Sequence, residues 1–237
     1  KGMLDLETPR ALELEEIPGV VNDYAKAALL AMEAGFDGVE IHGANGYLVD
    51  QFINSNSNRR DDKYGGSVEN RGRFALEVVE AVVKAIGSDR VGIRLSPAGF
   101  NGGMLDLNPA ESYGYVIKNL SKFNLAYLHL LEGPTPNEDQ QQYHIFKNGV
   151  AKVFRPMYDG NIIINAGYTK EKANAVIASG DADMVSFGVP FIANPDLPER
   201  FRVDAPLNQL LGHETFYGGG ERGYTDYPTL EEVAATV

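Results

Sequence analysis

Asn161-Ile-Ile-Ile-Asn-Ala-Gly-Tyr-Thr169 and Asp183-Met-Val-Ser-Phe-Gly-Val-Pro190 decide the fold class. Each is a short apolar run that ends in small residues and opens a helical pattern. Runs this short and this poor in surface-type residues read as parallel strands covered on both faces. Working backwards, the same alternation recurs three times. Gly38-Val-Glu-Ile-His42, Arg90-Val-Gly-Ile-Arg-Leu95 and Leu125-Ala-Tyr-Leu-His-Leu130 are the further strands. Helical patterns over 18–34, 67–86, 109–122, roughly 143–157 and 169–179 lie between and around them, and another starts near 189. Pro18 falls in a first turn and Gly35 just past an end. Ser67 can cap the second pattern, whose Phe74, Val78, Val79 and Val82 share one face. A polar stretch over 43–66 reads as loop. The tail from 204 reads as an ordered excursion ending in a short helix.

Five βα units in series build either an open doubly wound sheet or part of a closed (β/α)8 barrel. Five strands cannot close a barrel. The last two loops favour barrel ancestry, because phosphate in such barrels often sits after strands seven and eight. Ala166-Gly167 and Gly188-Val189 can bring backbone N–H groups to phosphate oxygens where a helix begins. The same glycines equally serve plain tight turns, and the residues alone leave both readings open. Neither GxGxxG nor GxxxxGK[ST] occurs, so nucleotide sites of those two types are unsupported.

Composition narrows the function classes. The 237 residues are 43% hydrophobic, enough for a substantial core, and without a break in composition they are expected to form a single domain over 1–237. Lys+Arg 21 against Asp+Glu 33 gives 21 − 33 = −12, which disfavours a binder of nucleic acid or anionic membrane. Cysteine is absent, which excludes disulfides, thiolate nucleophiles and cysteine-ligated metals. No apolar run is long enough to span a bilayer, and the first residues lack the layout of a signal peptide, so a cytoplasmic location is expected. No methionine opens the chain, which points to a processed or cut end.

The chemistry concentrates in Val39-Glu-Ile-His-Gly-Ala-Asn-Gly-Tyr-Leu-Val-Asp-Gln-Phe52. His42 falls where a buried strand ends, the functional end of a βα unit. Asn45 and Tyr47 follow within five residues, with Gly43 and Gly46 to allow sharp turns. His and Asn both donate hydrogen bonds and can hold a carbonyl oxygen on which charge develops. A phenol can act as general acid. The bland alternative is a His and a Tyr satisfied inside a loop, with Asn in a turn. No carboxylate is in register for a hydrolase triad. His129, His144 and His213 are scattered, so no metal site is expected. Asn58 to Phe74 mixes charges around a Gly-Gly turn and reads as a loop locked by its own salt bridges. Arg94 interrupts an apolar strand. It either pairs with a carboxylate or stabilises an anionic cofactor ring.

Together these segments resemble the old yellow enzyme family of flavin ene-reductases, near its bacterial and 12-oxophytodienoate-reductase-like branch. The resemblance is carried by His42-Gly-Ala-Asn45-Gly-Tyr47-Leu, Gln51-Phe52, the run Asn58 to Arg71, Gly92-Ile-Arg94-Leu-Ser-Pro97, Phe191-Ile-Ala-Asn-Pro-Asp-Leu197, Phe216-Tyr-Gly-Gly-Gly and Gly223-Tyr-Thr-Asp-Tyr-Pro228. They stand in the family's order from about residue 8 to 228. The resemblance implies a (β/α)8 barrel that binds FMN noncovalently, takes reducing equivalents from NAD(P)H and reduces activated alkenes such as enones. It implies that His42 and Asn45 bind the carbonyl or nitro oxygen and that Tyr47 protonates the α-carbon. It places Arg94 beside the flavin N1–C2=O edge, Ala166, Gly167, Gly188 and Val189 at the phosphate, and Tyr217 near the flavin. Many relatives carry arginine where Val189 stands, so a charge-assisted phosphate contact is lost here.

The resemblance covers strands four to eight of the barrel. The first three βα units, which carry further flavin-contacting residues, lie outside the sequence. The chain alone is therefore expected not to close a barrel, and to need the missing strands from another chain, a cleaved segment or a swapped copy. Two alternatives stand beside the ene-reductase. One is a FMN barrel of dihydroorotate-dehydrogenase or 2-hydroxyacid-oxidase type, against which the His42–Tyr47 cluster argues. The other is a flavin-free or partner-dependent barrel fragment.

Overall fold

The computed structural model describes residues 7–100, 103–134, 138–217 and 220–235. The chain divides into two compact units, Lys1–Ile162 and Ile163–Val237.

The first unit opens with helix α1 (Ile17–Glu33), strand β1 (Val39–Gly43), the short helix α2 (Leu48–Ile53) and helix α3 (Val68–Ile86). Strand β2 (Val91–Leu95), helix α4 (Pro109–Leu120), strand β3 (Tyr127–Leu131) and helix α5 (Val150–Phe154) follow. β1, β2 and β3 are consecutive parallel neighbours, with His42 opposite Arg94 and Arg94 opposite His129. The Leu128 N–H of β3 donates to the Asn161 carbonyl at 2.9 Å, just before strand β4 (Ile162–Asn165) begins.

Side chains alternate along a strand, so each strand has two distinct rows. Ile41, Ile93, Leu95, Leu128 and Leu130 form one set and are fully or almost fully buried. The buried face of α3 (Phe74, Val78, Val79, Val82) and that of α4 (Val116, Ile117, Leu120) complete this core. The other set is polar: Glu40 and His42 on β1, Arg94 on β2, Tyr127 and His129 on β3. The α3 ring of Phe74 stacks on Phe52 of α2 at 4.2 Å and meets Tyr24 of α1 edge-on at 6.4 Å. The charged loop before α3 is locked internally. Arg60 pairs with Asp62 at 2.6 Å, Asn58 Nδ2 donates to the Phe52 and Tyr64 carbonyls, and Ser67 accepts the Asn70 N–H as helix cap.

The second unit carries β4, helix α6 (Lys170–Ala178), strand β5 (Met184–Ser186), helices α7 (Val189–Ala193) and α8 (Leu197–Arg202), and the terminal helix α9 (Leu230–Ala234). β4 and β5 run parallel with Asn165 opposite Ser186. Within each unit strand order follows chain order. Arg200, 2% exposed, ties down the tail: its guanidinium donates to Asp196 and to the Pro206 and Pro228 carbonyls.

Three details differ from the sequence expectation. The stretch 43–66 contains α2. The helix expected over 143–157 is instead a 3-10 stretch over Glu138–Phe146 followed by the five-residue α5. Gly149, at φ 110°, separates them in a conformation a helix does not permit. The helix expected from 189 breaks at Asn194, where Pro195 cannot continue the hydrogen-bond ladder of α7.

Candidate active site

The first unit gathers His42, Asn45, Tyr47 and Arg94. His42 is near the C-terminal end of β1 and opposite Arg94 in the parallel register. After Gly43 and Ala44 the chain makes a turn in which Asn45 and Gly46 both adopt left-handed conformations, with φ of 59° and 79°. Asn is among the few non-glycine residues that tolerate this. The turn delivers Tyr47 as the N-cap residue of α2, 62% exposed, its ring centroid 5.1 Å from that of His42. Burial, then the Arg94 charge, pull the His42 pKa below its ordinary value, against the opposing pull of Glu40. The shift favours the neutral imidazole, which donates through one ring N–H.

Beneath this row lies a second polar group that sequence reading missed. His129 Nδ1 is 2.8 Å from Glu40 Oε2. A carboxylate only accepts, so Nδ1 carries the proton. The Tyr127 hydroxyl also donates to Glu40, which raises the tyrosine to about 12, burial being the larger cause. Gly92 makes room: a Cβ there would sit 2.3 Å from the Tyr127 ring. The Glu40 carboxylate thus serves β3. The sequence signal was present as period-two polarity in all three strands. It becomes a cluster only through a register that joins residues 89 positions apart.

The second unit brings together Ala166, Gly167, Gly188 and Val189 at the C-terminal ends of two adjacent parallel strands. Ala166 and Gly167 both have positive φ, 79° and 73°. Asn165 Nδ2 donates to the Ser186 carbonyl at 2.8 Å and links the two strand ends. Thr169 caps α6 by accepting the Lys172 N–H. A Cβ added at Gly167 or Gly188 meets nothing within 4 Å, so both backbones lie open. Room beside the backbone at strand ends where helices start suits the oxygens of a phosphomonoester. Val189 is 59% exposed and offers its backbone. Tyr217 is 89% exposed. Its neighbours Gly218 and Gly219 in the Phe216-Tyr-Gly-Gly-Gly run lie outside the described residues. Among the described residues no group of three or more His, Cys, Asp or Glu could hold a metal ion. Among them, too, no helix is long and apolar enough to cross a membrane.

Parallel strands joined by helices, with polar side chains and open glycine backbones at the strand ends, are the build of a (β/α) barrel. The chain belongs to the NADH:flavin oxidoreductase / NADH oxidase family, which residues 4–208 match. Among its relatives, 12-oxophytodienoate reductase 2 of Arabidopsis thaliana is 49% identical over 229 residues, 95% of this chain and 60% of that protein. Putative 12-oxophytodienoate reductase 11 of Oryza sativa subsp. japonica is 50% identical over 224 residues, 94% of this chain and 60% of that protein. In structure the chain is similar to morphinone reductase in complex with tetrahydroNAD, at TM-score 0.87 and 48% identity over 97% of this chain and 60% of the other. It is also similar to the old yellow enzyme homologue from Zymomonas mobilis, at TM-score 0.89 and 43% identity over 96% of this chain and 63% of the other. The chain spans about 60% of the length of the curated relatives it matches. It supplies about five βα units of their (β/α)8 barrel.

Proposed function

We propose that this chain is the C-terminal portion, residues 1–237, of a single-domain, FMN-dependent ene-reductase that uses NAD(P)H to reduce activated C=C bonds in enones and nitroalkenes. The observation that carries the reading is the placement of His42, Asn45 and Tyr47 at one strand end, opposite Arg94, in a chain of the flavin family. Arg94 would face the flavin ring, Tyr217 would lie near it, and Ala166, Gly167, Gly188 and Val189 would hold the phosphate. Within the second unit the open backbones at Gly167 and Gly188 suit a phosphate, and within the first the Arg94 cation suits an anionic ring. FMN, when bound, would supply the hydride that reaches the β-carbon of the alkene.

The chain's own residues do the rest. His42 and Asn45 donate to the carbonyl or nitro oxygen and draw electron density away from the alkene. Each such bond to a developing anion contributes about 1.5–3 kcal/mol. Tyr47 O–H gives its proton to the α-carbon and is later reprotonated from solvent. The balance is one hydride from NAD(P)H and one proton through Tyr47, added across one C=C bond. A cytoplasmic location belongs to the same reading, since the enzyme draws on a nicotinamide pool. The three βα units outside the sequence complete the site, whether they come from the same polypeptide or from another chain.

The test is a double variant, His42→Ala with Asn45→Ala, in the flavin-loaded protein that joins this chain to the rest of the barrel. Titration with a phenol, followed by flavin absorbance, is expected to show a loss of phenol affinity of about 3–6 kcal/mol for the two bonds together, with FMN retained. Unchanged phenol affinity would remove the assignment.

A further inference from the structure

The loop that carries Asn45 and Tyr47 rests on a buried relay. Asp50, the third residue of α2, is 2% exposed. Its Oδ2 accepts the Gly46 N–H at 2.9 Å and the Ser96 hydroxyl at 3.1 Å. Ser96 Oγ in turn accepts the Asn45 N–H at 2.8 Å. The other carboxylate oxygen accepts the Tyr113 hydroxyl from α4. One carboxylate thus joins the loop after β1, the end of β2 and helix α4. Burial pushes the Asp50 pKa up, against the three donors that favour its ionised form.

The relay holds the two residues that most need holding. Asn45 and Gly46 are the consecutive left-handed pair, and a non-glycine residue in that region persists only where its surroundings over-determine it. Their two N–H groups are the ones that end on Ser96 and Asp50. The turn they make sets Tyr47 at 5.1 Å from His42.

We propose that Asp50 is a positioning residue: through Gly46 and Ser96 it fixes the loop that presents Asn45 and Tyr47 alongside His42 to the substrate oxygen and α-carbon. The inference rests on the reading of those three residues given above. Asp50 itself touches no substrate and acts through the backbone of the loop.

The chemistry of the relay supplies the discriminating pair of variants. Asp50→Leu keeps similar bulk and removes every acceptor. Asp50→Asn keeps one oxygen for the Gly46 N–H, while its amide can donate to a Tyr113 hydroxyl that turns round to accept. A residue that mattered only for packing would tolerate Leu at least as well as Asn.

Amide hydrogen exchange at Asn45, Gly46 and Tyr47 is read first, in the protein without ligand. Asp50→Leu is expected to speed it about tenfold or more, and Asp50→Asn to leave it within about threefold of wild type. In the flavin-loaded protein, Asp50→Leu is expected to weaken phenol binding and slow enone reduction by about ten- to hundredfold, with FMN retention and reduction by NAD(P)H unchanged. If Asp50→Leu does not fold, Ser96→Ala, which frees only the Asn45 N–H, is expected to show the same pattern in weaker form. Unchanged exchange in Asp50→Leu, or equal losses in Leu and Asn variants with FMN lost as well, would overturn the proposal. A wild-type protein that binds no phenol would overturn the substrate reading and the purpose assigned to Asp50. The exchange result decides separately whether Asp50 holds the loop.

Discussion

Tyr47 and Glu40 show how far single residues carry the account. The Tyr47 ring is 5.1 Å from that of His42, so its phenol would be placed to deliver a proton beside the group that holds the substrate oxygen. Tyr47→Phe is expected to slow reoxidation of the reduced protein by an enone about 10²–10⁴-fold and to leave reduction by NAD(P)H nearly intact. Stopped-flow records of the two half-reactions check this, and equal losses in both would assign Tyr47 a structural part. Glu40 lies below the ordinary carboxylate value of 4.5: burial acts upward, but the bonds from His129 and Tyr127 and the Arg94 charge outweigh it. Such a group contributes stability that is complete above its unfolded value and lost as pH falls through its folded value. Denaturant titrations between about pH 6 and pH 3 are therefore expected to give Glu40→Gln a shallower acid limb than wild type. Parallel limbs would show that the Glu40 bonds contribute nothing to the folded state. At this scale the sequence disclosed His42, Asn45 and Tyr47, because they stand within six positions of one strand end. It hid Asp50, Glu40 and His129, whose partners are 46 to 89 positions away and meet them only once the strands are in register.

Helix α3 illustrates the element scale. Its apolar positions recur at helical spacing, Ser67 caps it, and Gly87 at φ 88° ends it, so its limits agree with the sequence pattern to one residue. Phe74 is fully buried between Phe52 and Tyr24. Phe74→Ala is expected to destabilise the fold by about 3–5 kcal/mol, measured by urea unfolding; a loss below about 1 kcal/mol would mean that the three-helix contact is not part of the core. The five strands were legible because apolar runs bounded by glycine and polar residues leave little else to choose. Short helices were not. Six residues of α2 make less than two turns, too few for a period to emerge from Leu48, Val49, Phe52 and Ile53. Gly149 and Pro195 each interrupt an apolar pattern that reads as continuous, and the breaks rest on one backbone conformation and one missing N–H.

For the molecule as a whole, the chain spans about 60% of the length of the relatives it matches, so much of their barrel lies outside it. In the first unit the row of Glu40, His42, Arg94, Tyr127 and His129 gives one face of β1 to β3 a charged and polar character. Residues 1–237 produced alone are expected to self-associate and to stay colourless with FMN, as light scattering and absorbance would read. A folded, monomeric, yellow species would refute this. The central claim, that these residues form the substrate-binding and phosphate-binding part of a flavin ene-reductase, is tested most directly by one anaerobic visible spectrum. The protein that joins this chain to the rest of the barrel is mixed with FMN, then NAD(P)H, then a cyclic enone. The account expects bound flavin that NAD(P)H bleaches and the enone restores. A protein that binds no flavin, or whose bleached flavin returns with oxygen but not with the enone, would contradict it.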